Sequence, residues 1–434
     1  MPTDRRSKGA IVGRLSKCVV IGAASVALVI AGCSSTKKAV PTTTAAAEPA
    51  TRTTRGITDN SVKIGGVIDD AQFLQAGNGA GARFLRANNE GGVNGRTIDY
   101  VGVTSDKTDA NTNAEIVQRL VDQDQVAVVA PVISSRFGGA AFLNKTKTPF
   151  VGWGISRDWC GSDYGFGITG CLTNPNPTEE NGAWGVVLQK YFANDANKNP
   201  KTVAVVGVDD DSSKIGTKAV AASVKAAGFT VLGPFNSIPV AVPATDYTQF
   251  AQEVLTANAN REPDVTLQIM PFKDVNGLTK KMNELGYKGL YESAVGYDPA
   301  LLQVPTFQKN FLIALQWAPY ESSAAAIKQM KEDFAAYDAK NGTKTPLNLA
   351  NAASYWAADL LLAGLQKAGR DLTIEKLVAA MNNNFSYSVP DALGTVEFPK
   401  NHTVPVPCQS AVQISNGAYQ PVVPFTCTKL VSVS

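Results

Sequence analysis

Histidine is almost missing from this 434-residue chain, His402 being the only one. Catalysis that pairs a serine or cysteine nucleophile with histidine has no obvious partner to draw on, and neither does a metal site built from several imidazoles. His402 lies in the turn-like stretch Lys400-Asn401-His402-Thr403 and is read as an exposed loop residue. Charge is also scarce. Asp, Glu, Lys and Arg make up 18% of the chain, against a usual ~25%. No basic stripe stands behind the nominal net charge of +3, which argues against nucleic acid as a partner. The six cysteines include no Cys-x-x-Cys pair, the spacing that would support a zinc site. What the chain does have is 44% hydrophobic residues over a length too great for one modest core. This composition excludes a wholly disordered protein and suggests two or three folded units, with two lobes as the starting expectation.

The first 17 residues carry Arg5, Arg6, Lys8, Arg14 and Lys17 against Asp4, and an apolar run follows from Cys18 to Ala31. That run is 14 residues long, shorter than the ~20 of a permanent membrane-spanning helix, and has the form of a signal peptide. It ends in Val29-Ile30-Ala31-Gly32-Cys33, which resembles the bacterial lipobox. The resemblance implies that residues 1–32 are removed and that the thiol of Cys33 takes a diacylglycerol. Removal takes five basic residues and one acidic residue from totals of 40 and 37, leaving 35 against 36 and a net charge of −1. Residues 33–56 then read as a Thr, Ala, Pro and Lys tether with too little apolar content to fold, reaching ~25 Å as a flexible coil.

With Cys18 and Cys33 accounted for, Cys160, Cys171, Cys408 and Cys427 remain. Outside the cell membrane, four cysteines favour two disulfides, with three possible pairings. The local pairings Cys160–Cys171 and Cys408–Cys427 are expected, because each closes a short loop.

From residue 57 onward, short β-rich runs alternate with helical stretches, the pattern of parallel α/β layers. Strands are expected at Val62 to Ile68, Thr97 to Val103, Val126 to Ala130 and Pro149 to Trp153, with helices at Gly81 to Asn89 and Ala110 to Val121. A second series begins with a helix at Glu179 to Phe192 and runs through strands at Thr202 to Val208, Phe229 to Leu232, Val265 to Met270 and Leu290 to Ala294. Further α/β alternation includes Leu312 to Trp317 and the long helix Asn348 to Ala368, before a β-rich end from Thr395 to Val433. Gly77-Asn78-Gly79-Ala80-Gly81-Ala82 fits a dinucleotide fingerprint. Eight residues separate it from the strand end at Ile68, however, where the fingerprint needs its first glycine directly at that end.

Three stretches then carry a resemblance. They are Ile57-Thr58-Asp59-Asn60-Ser61-Val62-Lys63-Ile64-Gly65, Asn88-Asn89-Glu90-Gly91-Gly92-Val93-Asn94-Gly95-Arg96, and Leu120-Val121-Asp122-Gln123-Asp124-Gln125-Val126. In this order and spacing they resemble the leucine/isoleucine/valine-binding family, the solute receptors of branched-chain amino acid and amide ABC importers. The likeness continues through Val203 to Asp211, Thr245-Asp246-Tyr247 and Tyr355 to Gly369. It implies a type 1 periplasmic-binding fold, with two doubly wound α/β lobes joined by three crossings. Lobe 1 would be residues 57–174 plus 297–394, and lobe 2 residues 175–296 plus 395–434. A ligand would sit at the C-terminal ends of the strands, between the lobes.

On that family pattern, Ser134 matches the hydroxyl that holds a ligand carboxylate. Ser134 and Ser135 are read as opening a helix whose N–H groups add to that anion site. Trp153 and Ser156 fall where the family places wall residues and a second hydroxyl. Asp274 fits the acid that meets an α-ammonium, and Tyr297 is a further wall residue, with Trp317 or Tyr320 as others. Two departures stand out. Ser213 in Asp210-Asp211-Ser212-Ser213-Lys214-Ile215-Gly216 replaces the usual aromatic clamp, and Asp69-Asp70-Ala71-Gln72-Phe73 replaces the usual first turn. Leucine itself is therefore not implied. The expectation is a lipid-anchored, non-enzymatic receptor on the outer face of the cell membrane, without cofactor or metal. It would bind a small polar ligand, an amino acid or related amide, and deliver it to an ABC permease and its ATPase. The alternatives are a sensory receptor of the same fold and, less in keeping with the lone histidine, a lipoprotein enzyme.

Overall fold

The computed structural model describes residues 54–433 apart from 71, 194–200, 241, 243 and 309. The signal segment, the lipidation residue Cys33 and the tether up to residue 53 lie outside the described residues.

The first sheet contains β1 (Ser61–Ile68), β2 (Thr97–Ser105), β3 (Val128–Ile133), β4 (Phe150–Gly152) and β5 (Gly165–Gly167), with α1 (Gly77–Asn89), α2 (Ala110–Asp122) and α3 (Ala140–Thr146) in the connections. All neighbours are parallel, in the order β2-β1-β3-β4-β5. This is a doubly wound order, in which crossovers leave in opposite directions and open a crevice at the carboxyl ends of the strands. Every residue of β3 (VVAPVI) is buried, as expected for a central parallel strand covered by helices on both faces. The turn before β2 needs glycine. Gly91, Gly92 and Gly95 have φ of 96°, 79° and 80°, and a Cβ on Gly92 would lie 2.0 Å from the Arg96 carbonyl oxygen.

The chain continues through β6 (Glu179–Asn181), α4 (Ala183–Tyr191), β7 (Thr202–Val208), α5 (Asp211–Ala226), β8 (Thr230–Ile238), α6 (Thr248–Thr256), β9 (Val265–Ile269), α7 (Phe272–Glu284), β10 (Leu290–Ser293) and β11 (Phe311–Leu315). Next come α8 (Ala325–Asn341), α9 (Leu349–Ala368), α10 (Ile374–Asn382), β12 (Phe385–Val389), β13 (Leu393–Phe398), β14 (Cys408–Ser415), β15 (Ala418–Cys427) and β16 (Leu430–Ser432). The second sheet runs β15-β14-β11-β10-β9-β7-β8. It is parallel from β8 to β11 and antiparallel at β14 and β15. The chain passes between the two lobes three times, after β5, after β11 and after β13; the number is the one the resemblance implies, but the third crossing follows Phe398, which pairs with Phe385 in β12, and not residue 394.

Several expectations are corrected. The strand Phe311–Leu315, assigned with 297–394 to lobe 1, pairs with β10 and β14 in the second sheet, so the second crossing follows Leu315 and not residue 296. Glu179 does not begin a helix: Glu179–Asn181 is a strand paired with β16, and the helix starts at Ala183. Ser134 and Ser135 do not open a helix either, since α3 begins at Ala140. His402 is not exposed. It is 4% accessible, with its ring nitrogens at 2.9 Å from the Gly165 carbonyl and 2.6 Å from Asn382 Oδ1, against Phe166 and Phe398. Burial lowers its pKa, against the opposing pull of the Gly165 carbonyl and Asp163.

The long helix α9 returns to lobe 1, where it packs on α1, β3 and β4 with 15 of its 20 residues buried. Asn348 caps it by accepting from Asn351 N at 2.9 Å. Both expected disulfides are present, Cys160–Cys171 and Cys408–Cys427. The second joins residues directly opposite each other in the β14–β15 ladder.

Candidate functional site

A cavity of about 180 Å³ lies at the carboxyl ends of the strands and takes its walls from both lobes. Phe73 and Trp153 line it from lobe 1; Val208, Ile269 and Met270 line it from lobe 2. Leu172 and Trp184, near the first crossing, extend this apolar lining. The Trp153 ring centroid is 5.8 Å from that of Phe73 and 5.4 Å from that of Trp317, so Trp317 backs the wall without lining it. Tyr320, the other expected wall residue, is also buried outside the lining, with its hydroxyl donating to the Asn348 carbonyl at 3.0 Å.

Two sets of contacts bridge the lobes beside this cavity. The Trp153 indole N–H donates to Gln316 Oε1 at 2.6 Å, and Gln316 directly follows β11. At the rim, Arg157 pairs with Asp211 in the first turn of α5, and its backbone N–H donates to Ser212 Oγ at 3.2 Å. Trp153 therefore serves two purposes, as an apolar wall and as a donor across the cleft.

The remaining expected site residues divide. Ser135 and Ser213 line the cavity; Ser134, Ser156, Asp274 and Tyr297 do not. The Ser134 hydroxyl donates to Asp106 Oδ2 at 2.6 Å and so is directed into the protein. Asp106 is fully buried and also accepts from Asn113 Nδ2 at 2.8 Å; burial raises its pKa against the pull of these hydrogen bonds. The fully buried Asp69 beside it accepts from Thr108 Oγ1 at 2.7 Å. Instead of an open anion pocket, the lobe 1 wall carries two internally bonded carboxyl groups here, and Arg136 is the cation that lines the cavity on this side.

Ser213 is similarly occupied. Its hydroxyl donates to the Ile269 carbonyl at 2.8 Å and accepts from Val208 N at 2.9 Å, tying the ends of β7 and β9 together. Asp210 caps α5 by accepting from Ser213 N at 2.7 Å. Asp274 stands in the first turn of α7 and accepts from the Tyr247 hydroxyl at 2.7 Å; burial raises its pKa, while that hydrogen bond and Lys273 oppose the rise. Tyr297 donates to Glu321 Oε2 at 2.6 Å, stacks on Tyr320, and lines a separate cavity with Asp298 and Asn348. Ser156 is buried where the short turn Arg157–Trp159 begins.

Sequence reasoning missed Gln316, Arg136, Met270, Thr173, Glu180 and Asn181, all of which line the cavity. The motif comparison pointed to positions just after β3, β4, β7 and β9, and the missed residues at those ends were within its reach. Glu180 and Asn181 were hidden by their assignment to a helix. Among the described residues no group of three or more His, Cys, Asp or Glu side chains is placed to hold a metal ion.

The sequence pattern of the family described as periplasmic binding protein matches residues 61–418. Among solved structures, the chain is similar to a fatty acid ABC transporter substrate-binding protein from Thermomonospora curvata, at 20% identity and a TM-score of 0.67, over 87% of this chain and 95% of that one. It is similar to a leucine-binding protein from Thermotoga maritima MSB8 at 16% identity and a TM-score of 0.63, over 86% and 99% of the two chains. It is also similar to an ABC transporter solute-binding protein from R. palustris in complex with benzoate, at 14% identity and a TM-score of 0.63, again over 86% and 99%. No curated protein matches the chain.

Proposed function

The chain belongs to the periplasmic binding protein family, and from that premise we propose that it is a lipid-anchored receptor that closes on a small organic acid and hands it to an ABC importer. One observation carries this reading: the cavity is lined from both lobes, which are already bridged beside it by Trp153–Gln316 and Arg157–Asp211. A molecule that touches both walls stabilises the closed form over the open one, and closure is the event an importer can sense. Anchoring through Cys33 and export by residues 1–32 rest on the lipobox-like sequence.

The ligand class follows from the lining. Its walls are chiefly apolar and aromatic, so the ligand body is apolar, and Arg136 and Ser135 supply the groups for a carboxylate head. An amino acid remains within this class, whereas a simple amide, which has no carboxylate, does not. The acid expected to meet an α-ammonium, Asp274, is engaged by Tyr247 away from the lining, which favours a carboxylate without that ammonium. The three structural relatives, named for fatty acids, leucine and benzoate, bracket this chemistry.

The test is a thermal-shift screen of the purified full chain against amino acids, aromatic carboxylates and medium-chain fatty acids. A ligand at 100 times its Kd adds about 2.7 kcal/mol to stability and raises the melting temperature. No shift from any class overturns the receptor reading, and turnover of a bound compound replaces it with an enzyme. Cys33→Ala is expected to release the protein from the membrane fraction, and retention there would remove the lipid anchor.

A further inference from the structure

Among the residues that line the cavity near the first crossing are three polar side chains that the rest of the protein leaves underused. Thr173, Glu180 and Asn181 all line the cavity and are 7%, 2% and 4% accessible. Thr173 Oγ1 and Asn181 Nδ2 are fully buried with no hydrogen-bond partner. Asn181 Oδ1 is taken by Ala183 N at 2.8 Å, so the amide N–H₂ is the free end of that side chain. No charged side chain offsets the burial of the Glu180 carboxyl, and only the backbone N–H of Asn181 supports its ionised form. Buried polar groups without partners are costly, and a lining that keeps two of them close in sequence to a buried carboxyl held by a single backbone N–H is suited to receive the missing partner.

The donor and acceptor inventory specifies that partner. An ammonium group would satisfy Glu180 and the Thr173 oxygen but leave the Asn181 N–H₂ unmatched. A carbonyl oxygen would accept from Asn181 and Thr173 and offer no proton to the Glu180 carboxyl in its ionised form. A hydroxyl does both: its oxygen accepts from Asn181 and Thr173, and its proton goes to Glu180. We propose that Thr173, Glu180 and Asn181 form a hydroxyl-binding pole of the ligand cavity, so that the receptor selects an apolar organic acid bearing a hydroxyl at the end remote from its carboxylate. This inference rests on the receptor reading above.

Two matched pairs test it by calorimetric titration of the full chain: octanoate with 8-hydroxyoctanoate, and 3-phenylpropanoate with 3-(4-hydroxyphenyl)propanoate. In at least one pair the hydroxylated member is expected to bind about tenfold tighter or more, because the unhydroxylated one leaves the pole unpaired. Glu180→Leu should bring that ratio to about 1 while the unhydroxylated acid keeps or gains affinity. Thr173→Val keeps the side-chain shape and should reduce the ratio, which holds the test open if Glu180→Leu does not fold. Equal binding within both pairs overturns the hydroxyl pole and leaves the receptor intact, as does a ratio unmoved by either substitution. Binding of another screened compound, with none of the four acids bound, also overturns it. If nothing binds at all, the receptor reading fails first and this inference fails with it.

Discussion

Glu180 makes a prediction whose size follows from its surroundings. Burial pushes its carboxyl from 4.5 to about 7, so the folded protein holds a proton there that the unfolded chain has released. For an acid with a raised folded-state pKa, stability is full below pH 4.5, falls as the pH rises through the window from 4.5 to 7, and levels off above it. At about 1.4 kcal/mol per pKa unit, the loss at pH 8 is about 3 kcal/mol. Glu180→Gln keeps the shape and removes the titration. For about 380 folded residues the unfolding entropy is about 0.8 kcal/mol/K, so the variant should melt about 4 °C above the parent at pH 8 and level with it at pH 4. Melting curves of the ligand-free proteins between pH 4 and 9 measure the difference. Other buried acids, such as Glu292 and Asp106, act on both proteins and cancel in it. A difference that stays constant with pH would refute the reasoning, because it would mean that the Glu180 carboxyl ionises in the fold as freely as in water.

Ser213→Ala leaves Val208 N–H and the Ile269 carbonyl without their shared partner, so denaturant titration should record a loss of about 2 kcal/mol; a loss below about 0.5 would mean that the hydroxyl does not tie β7 to β9. Arg157→Ala removes the exposed pair with Asp211 at the cleft rim, and the Kd of any identified ligand should rise no more than about fivefold and lose its sensitivity to salt. A larger effect that persists in 1 M salt would show that Arg157 contributes more than a screened rim contact. Replacing both Cys408 and Cys427 with serine opens a closure spanning 19 positions and should lower stability by about 3 kcal/mol, whereas an unchanged denaturation midpoint would show that the β14–β15 ladder holds without the bond.

The fold was legible because its signals repeat. Short β-branched runs, helical periods between them and the Gly91–Gly95 turn state a local preference that the packed protein keeps. What failed depended on partners far along the chain. Phe311–Leu315 reads as a strand in isolation, but only pairing with β10 and with β14, about a hundred residues later, puts it in the second sheet. Glu179–Asn181 has the composition of a helix start and becomes a strand because Leu430–Ser432 lies against it, with Val431 opposite Glu180. His402 reads as a turn residue and is buried because the Gly165 carbonyl oxygen and Asn382 Oδ1 lie within hydrogen-bond distance of its two ring nitrogens.

The same non-locality governs the site. A motif can place a hydroxyl at the end of a strand, but the neighbouring loop decides what that hydroxyl does. Ser134 follows β3 as the resemblance requires, yet Asp106, supplied by the loop after β2, accepts its hydrogen bond. Asp274 stands near the position of an ammonium-binding acid, and Tyr247, just ahead of α6, engages it. On both sides of the cleft, then, polar residues matched by motif are satisfied within their own lobes, where pairing offsets the cost of burying them. A group already satisfied gains little from a ligand, while one buried without a partner gains a full hydrogen bond. On the proposed receptor reading, recognition would fall to the apolar walls around Trp153 and the unpartnered groups near β6. Of the lining residues, Trp153 lies at a position the family resemblance marks, whereas Thr173, Glu180 and Asn181 lie outside those positions.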